Sequence, residues 1–151
     1  KRQLMNMPTY NIYSSNIELT NFQKNKIASE VSQIHEANTG ANSFFAQIIF
    51  HKIDENSHYL GSKKIATEQI FLHGEIREGR SEKIKNKLIM SLRDAIMNFS
   101  GVGKDCIWVY LVDLKPEQMI EYGEILPKPG KESVWFNALP VALQEKLQEL
   151  K

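Results

Sequence analysis

The sequence has little of what would indicate a disulfide scaffold, a metal cluster, a membrane anchor or a nucleic-acid binder. Its single cysteine, Cys106, excludes an intramolecular disulfide and a multi-cysteine metal site. Nineteen basic and eighteen acidic residues give a net charge of +1, and no basic block interleaved with aromatics is present. No apolar run approaches the length of a membrane span, and residues 1–6 lack the hydrophobic segment of a secretion signal. We therefore expect a cytoplasmic protein without a nucleic-acid or membrane partner.

The chain is long enough for one domain with a real core, since 42% of its 151 residues are hydrophobic. We assign residues 8–151 to this domain and expect a helical tail at its C-terminal end. Residues 1–7 form an extension before it, either natural or introduced.

Two segments of the chain share one plan, and this repetition predicts the fold class. In the first, a strand at residues 8–14 leads to Thr20, which has capping-box spacing to Gln23, and to a helix over 21–38 that Gly40 ends. A buried strand follows at 44–50. The second segment repeats the order with a strand at 69–76, Ser81 as N-cap and a strand near 107–112. Ser81 lies 61 positions after Thr20, so the units have a common pitch.

Two βαβ units of this kind predict a four-stranded sheet with both helices on one face, an α+β or α/β two-layer sandwich. Between the units, residues 54–64 are predicted to form a loop. After them, Pro116 starts a short turn, residues 127–130 break the chain, and a helix follows Pro140. This last helix could dock on a neighbouring subunit. Because one sheet face stays uncovered, an oligomer is expected.

Several side chains are candidates for chemistry, beginning with Pro8. At a free N-terminus a proline is a secondary amine able to exchange a proton, whereas inside a chain its nitrogen is an inert amide. Arg77 and Arg80 flank the second helix start, where two guanidiniums would suit a carboxylate or phosphate; a solvated turn with one arginine paired to Glu78 is the alternative. His35 lies at the edge of an apolar stripe, which is also typical of a buried structural histidine.

Tyr110 and Glu121 form a weaker candidate pair. Tyr110 lies in the fourth predicted strand, and Glu121 follows eleven positions later, past a turn. A carboxylate can act as a base on a water that a phenol orients. Tyrosine in a strand and glutamate in a loop are both common, so the residues alone favour a structural role. His51, His58 and His73 are scattered and are interpreted as structural or surface residues.

Taken together, these sites resemble the tautomerase superfamily, and within it the cis-3-chloroacrylic acid dehalogenase group. The resemblance spans Pro8 to about Phe136. It rests on Pro8 before a strand, His35 late in the first helix, His73-Gly74, Arg77-Glu78-Gly79-Arg80-Ser81, Ile107-Trp108-Val109-Tyr110 and Met119-Ile120-Glu121-Tyr122-Gly123. It implies the tautomerase/MIF-like fold, with duplicated β-α-β units, a homotrimer, and no metal or organic cofactor.

The resemblance also implies roles for six residues. Pro8, His35, Tyr110 and Glu121 would be catalytic, while Arg77 and Arg80 would bind the carboxylate of a small unsaturated acid. In a hydratase or dehalogenase, Glu121 with Tyr110 would direct water onto the β-carbon and protonated Pro8 would protonate the α-carbon. In a tautomerase, neutral Pro8 would shuttle a proton between an enol oxygen and a carbon. Specificity would depend on residues 41–45 and the loop at 54–64.

Residues 1–7 leave two hypotheses open. If they are retained, Pro8 is acylated and the chain is a non-catalytic trimeric binding or scaffold protein that keeps an anion pocket. If translation starts at Met7, removal of that methionine frees the amine of Pro8, and the chain is an enzyme. The combination of Tyr110, Glu121 and both arginines favours the enzyme.

Overall fold

The computed structural model describes residues 8–40 and 46–149. Its regular elements, in chain order, are β1 (Thr9–Ser15), α1 (Asn21–Thr39), β2 (Gln47–Lys52), β3 (Tyr59–Leu60), β4 (Lys63–Lys64), β5 (Gln69–Arg77), α2 (Glu82–Ser100), β6 (Ile107–Leu114), β7 (Ile120–Glu121), β8 (Glu124–Ile125), α3 (Glu132–Asn137) and α4 (Val141–Glu149). Short 3-10 turns precede β6 and β7.

The main sheet has the strand order β2-β1-β5-β6. Strand β1 is parallel to β2 and antiparallel to β5, and β5 is parallel to β6. Each βαβ unit therefore contributes one parallel pair, and the two units meet through the antiparallel β1–β5 pair. The predicted four-stranded α+β architecture with two duplicated units is confirmed.

Both long helices begin at the predicted N-caps, and α1 ends at the predicted Gly40. The hydroxyl of Thr20 accepts from the Gln23 amide at 3.1 Å, and the Gln23 side chain accepts from the Thr20 amide at 2.9 Å. These two bonds complete a capping box. Ser81 caps α2 by accepting from the Ile84 amide at 3.2 Å. Each helix ends at a glycine in the left-handed region, Gly40 (φ 78°) and Gly101 (φ 79°).

The core lies between one face of the sheet and the two long helices. Alternate residues of β1 and β5 point into it, as the two-residue period of a strand requires. The buried members of this core are Tyr10, Ile12, Leu19, Ile27, Val31, Ile70, Leu72, Ile76, Leu88, Leu92, Ile96, Val102 and Ile107. The other face of β6 leaves large side chains exposed, namely Trp108, Tyr110 and Val112.

The connections differ from the sequence-based expectation at three places. The predicted loop at 54–64 contains the hairpin β3–β4. The predicted break after residue 130 is followed by the unforeseen helix α3. In α4, Leu147 is buried against Leu126 and Leu139 of its own chain, so this helix already has a docking surface within the chain. Among the described helices, none is long and apolar enough to cross a membrane.

Candidate active site

Pro8 and Glu121 line one cavity of about 440 Å³. The other lining residues are Thr9, Gln47, Ile120 and Tyr122. Pro8 is buried, and its carbonyl accepts from the Gln47 amide at 2.9 Å, which ties the start of β1 to β2. Since a water molecule in the liquid occupies about 30 Å³, a cavity of this size has room for a small carboxylic acid.

A tight hairpin places Glu121 at this cavity. Strands β7 and β8 pair antiparallel with Glu121 opposite Glu124, which leaves a two-residue turn at Tyr122 and Gly123. Both turn residues have positive φ, 56° and 87°, as a type I′ turn requires. A left-handed conformation is uncommon for a tyrosine, so the turn shape is held by its surroundings as well as by local preference.

The carboxyl of Glu121 has a perturbed ionisation. Burial raises the pKa of Glu121 to about 7, and the nearby guanidinium of Arg77 opposes that rise. The pKa of the neighbouring Tyr122 phenol is also raised, first by burial and then by Glu121. A carboxyl that titrates near neutrality can both accept and return a proton at physiological pH. Glu121 therefore has the ionisation expected of a general base.

His35 is fully buried, and it is bonded to a side chain rather than to a backbone carbonyl. Its Nδ1 lies 2.6 Å from the hydroxyl of Tyr10, and the two rings meet edge to face. Burial, assisted by the positive charge of Arg80, lowers the pKa of His35 to about 3. Burial raises the pKa of the Tyr10 phenol, against the opposing effect of Arg80. At neutral pH both groups are therefore uncharged.

The proton positions in this pair follow from counting donors. If Tyr10 donates to Nδ1, the neutral imidazole carries its proton on Nε2, and one donor remains unpaired. If Nδ1 donates instead, both the phenol proton and the Nε2 lone pair lack a partner. The first arrangement leaves fewer unpaired groups, so we assign the Nε2–H tautomer.

Among the described residues, the buried side-chain nitrogens without a hydrogen-bond partner belong to just three residues: His35 (Nε2), Arg77 (Nε) and Arg80 (Nε). Arg80 acts electrostatically on His35 and on Tyr10, and Arg77 acts on Arg80, so these groups are neighbours. Burial and then Arg77 lower the pKa of Arg80, although a guanidinium stays charged at neutral pH. An unpaired buried donor is costly. The three nitrogens are therefore candidate donors to an anion.

Arg77, the last residue of β5, is already bonded within the chain. Its Nη1 donates to the Pro127 carbonyl at 2.9 Å, and its Nη2 donates to Glu132 Oε2 at 2.7 Å. The arginine side chain is 3% exposed and that of the glutamate 9%, so the ion pair is buried. Its acidic partner is thus Glu132 of α3 and not Glu78.

Tyr110 does not line the cavity that Pro8 and Glu121 share. It lies opposite His73 in the β5–β6 register, on the uncovered face of the sheet, with 52% of its surface exposed. Its ring packs edge to face on Phe71, with the centroids 5.0 Å apart. Within one chain, the structure therefore brings Pro8 to Glu121 and His35 to Arg80, and leaves Tyr110 apart from that cavity.

Comparison with known proteins shows the family to which the chain belongs. Residues 7–138 match the profile of the Tautomerase_3 family, described as "Putative oxalocrotonate tautomerase enzyme". This chain belongs to that family. It is a member of the tautomerase superfamily related to the cis-3-chloroacrylic acid dehalogenase group, so the predicted resemblance is confirmed. Among curated protein sequences, no significant match was found.

Solved structures of the same fold are also similar to this chain. The crystal structure of N1, a member of the cis-3-chloroacrylic acid dehalogenase family, superposes with a TM-score of 0.87 at 28% identity and covers 93% of this chain and 99% of its own. Pt0534 inactivated by 2-oxo-3-pentynoate matches at a TM-score of 0.70 and 21% identity, covering 78% and 94%. A fused 4-OT symmetric trimer, W0, matches with a TM-score of 0.69 at 17% identity, and the match covers 78% of this chain and 96% of its own. The last two comparisons bear on the fold alone.

Reasoning from sequence missed two residues that bind the predicted site residues. Tyr10 carried a detectable signal, because it shares the inward face of β1 with Ile12 and follows Pro8 by two positions. Glu132 carried none, because no element was predicted for the segment that holds it and its partner lies 55 positions away. Both contacts depend on tertiary packing.

The predicted specificity segments are only partly described. Residues 41–45 lie outside the described residues. The 54–64 segment contributes to a separate cavity of about 150 Å³, lined by Ser15, Asn56, His58 and Lys64 among others. In the part of the chain that the structure describes, no three His, Cys, Asp or Glu side chains are grouped closely enough to hold a metal ion.

Proposed function

We propose that this chain is an enzyme that acts on small unsaturated or enol carboxylic acids through the amine of Pro8, when Pro8 is the first residue. The observation that carries the proposal is the shared cavity of Pro8 and Glu121. It places a prospective amine and a carboxyl with a pKa near 7 around one space. Proton transfer by two such groups on opposite sides of a substrate is general acid–base catalysis.

The substrate carboxylate is held by the unpaired nitrogens of Arg80, Arg77 and His35. Arg80 supplies the charge that is not already paired with Glu132, Arg77 offers its free Nε–H, and His35 donates from Nε2. These donors withdraw electron density from the β-carbon of a conjugated acid through its carboxylate. The His35 contribution is a neutral hydrogen bond, since its pKa is about 3.

Two reactions fit the groups in this cavity. In hydration, Glu121 takes a proton from water, the water oxygen bonds to the β-carbon, and protonated Pro8 delivers a proton to the α-carbon. In tautomerisation, neutral Pro8 removes the enol proton and returns it to carbon. A 3-haloacrylate would test the first reaction, and phenylenolpyruvate would test the second.

The proposed assembly is a homotrimer, supported by the fused 4-OT trimers among the structural neighbours. The uncovered sheet face carries Trp108, Tyr110 and Val112 in exposed positions, which an oligomer would bury. Light scattering should give three times the chain mass. In such an assembly Tyr110 would meet a neighbouring copy, where it remains a candidate for orienting water. A clean monomer mass would contradict this assembly.

The decisive experiment compares two preparations of the chain, one beginning at Lys1 and one at Pro8. We expect turnover only in the second, with a Pro8→Ala variant of the same length as its control. Incubation with 2-oxo-3-pentynoate followed by peptide mass mapping provides a readout independent of turnover. The amine should add to the alkyne, giving a covalent adduct on Pro8 with no leaving group.

The opposite result would favour the alternative function. If the chain that begins at Pro8 shows neither turnover above the Pro8→Ala control nor an adduct, the enzyme proposal is wrong. Binding of small carboxylates without turnover would then indicate the non-catalytic scaffold with an anion pocket. Intact-mass analysis of the protein from its natural source would show which first residue it has.

A further inference from the structure

From the Arg77–Glu132 contact, we infer that Glu132 is a specificity-determining residue, a built-in carboxylate on Arg77 that restricts the anion pocket to ligands with a single negative charge. This inference rests on the proposed carboxylate-binding role of the pocket. It concerns a residue outside the six that the sequence indicates. It is based on the hydrogen bonds that Arg77 already makes to groups of its own chain.

Both terminal nitrogens of Arg77 already have protein partners. Nη1 donates to the Pro127 carbonyl at 2.9 Å, and Nη2 donates to Glu132 at 2.7 Å. The Glu132 carboxylate thus takes the position that a ligand carboxylate would need in order to form a two-pronged bond with Arg77. With the arginine side chain only 3% exposed, a ligand would have to displace this contact to replace it.

The charges around the pocket lead to the same conclusion. Arg77 and Arg80 contribute two positive charges and Glu132 contributes one negative charge, so these three groups leave one net positive charge for a ligand. Glu121, which acts on Arg77, lowers this charge further when it is ionised. Asp113, which also acts on Arg80, is itself paired with Lys85 at 2.7 Å. A ligand with one carboxylate balances the pocket. A second ligand carboxylate would add an uncompensated charge in a partly buried space, which is costly.

Stability alone is a poor explanation for the pair. Removing two ions from water costs much of what their attraction returns, so apolar residues of similar size often stabilise a protein as well or better. The contact does help to anchor α3. A second bond does the same, since Trp135 of this helix donates to the Ile125 carbonyl of the Glu121 hairpin at 2.6 Å. That anchoring does not require a charge, whereas setting the charge of the pocket does.

The test compares crotonate with fumarate, which differ by a methyl group in place of a second carboxylate. Calorimetry on the chain that begins at Pro8 should show tighter binding of crotonate to the native protein. Glu132→Gln removes one negative charge, and the dianion senses the added positive potential twice. We expect the ratio of fumarate to crotonate affinity to rise about tenfold, which corresponds to about 1.4 kcal/mol.

Two controls separate charge from structure. Glu145→Gln removes the same charge from the exposed side of α4 and should leave the ratio unchanged. Glu132→Asp keeps the charge and should retain the native preference. If Glu132→Gln does not fold, the affinities of the native protein still test the inference. Fumarate binding as tightly as crotonate would overturn it. An unchanged ratio in a folded Glu132→Gln variant would overturn it as well.

The same data distinguish the two proposals from each other. If the native protein binds neither acid, the anion pocket itself is wrong and this inference fails with it. If the native protein binds crotonate but the ratio does not respond to Glu132→Gln, only the role of Glu132 is wrong.

Discussion

The hydroxyl of Tyr10 lies 2.6 Å from Nδ1 of His35, and this bond links the start of β1 to the end of α1. Both residues are almost fully buried, so water cannot replace the bond. Because the phenol donates, the imidazole keeps its proton on Nε2, which has no hydrogen-bond partner among the described residues. Tyr10 is therefore a positioning residue for His35.

Tyr10→Phe should separate this effect from packing, because it removes only the hydroxyl. We expect a tenfold loss in kcat/KM, since a buried hydrogen bond contributes about 0.5–1.5 kcal/mol. Nitrogen NMR of the imidazole should show the proton redistributing between Nδ1 and Nε2. Tyr13→Phe is the matched control, because Tyr13 stacks on His51 instead. Unchanged imidazole signals in Tyr10→Phe would refute the positioning role.

Acid should destabilise the fold through His35. Its pKa is about 3 in the folded chain and about 6.5 when unfolded, so the unfolded state binds the proton first. The stabilisation is present above pH 6.5 and is lost as pH falls toward 3. Denaturant titrations of a His35→Asn variant should depend less on pH across this window than those of the native chain. His73→Asn is the matched control, because it makes the same exchange at a histidine whose ring packs against Phe71.

Glu121 should produce a pH dependence of the opposite sign. Its pKa rises from 4.5 to about 7 on folding, so its protonated form favours the fold below pH 4.5, and this advantage is lost as pH increases through 7. Glu121→Gln should therefore melt higher than the native chain at pH 8 and equally at pH 4. Hydration activity should rise with pH through 7 as the Glu121 base ionises, and Glu121→Gln should abolish it. Glu124→Gln, which changes the paired residue of the hairpin, should retain the native profile.

A substitution at Gly74 should displace the Tyr10 ring without removing its hydroxyl. A Cβ added at this position would lie 2.7 Å from Cε1 of Tyr10 and 2.8 Å from Cδ2 of Leu111, which forces the aromatic ring to move. Gly74→Ala should lose about 1–3 kcal/mol of unfolding free energy, as overpacked cores do. It should also reproduce the imidazole NMR change of Tyr10→Phe. Gly103→Ala is the control, because its nearest neighbour is the Asp105 carboxylate at 3.2 Å. Native imidazole signals in Gly74→Ala would show that the Tyr10–His35 bond tolerates the displacement.

The two long helices and the sheet could be predicted because their signals are local. Thr20 and Gln23 form the capping box that their spacing predicts, and Gly40 ends α1 as expected. The first strand was predicted at residues 8–14 and lies at Thr9–Ser15. Strand ends were shifted by a residue or more, because pairing partners determine them and a single strand does not specify its partners.

The missed features depend on contacts between distant segments. Arg77 was predicted to meet an external anion, since nothing near it in sequence indicates Glu132. The burial of Leu147 against Leu126 and Leu139 likewise decides that α4 packs on its own chain. The family resemblance predicted that Pro8 and Glu121 would share one cavity. Their spacing in the sequence does not predict it.

The bond from the Gln47 amide to the Pro8 carbonyl determines what a cut before Pro8 would do. This bond holds the residue from its C-terminal side, by a group that hydrolysis of the Met7–Pro8 peptide leaves untouched. Cleavage there would create the new amine on a residue whose carbonyl is already bonded to β2, so we expect the bond to persist through the cut. The onset of activity after cleavage should therefore follow the kinetics of the protease alone.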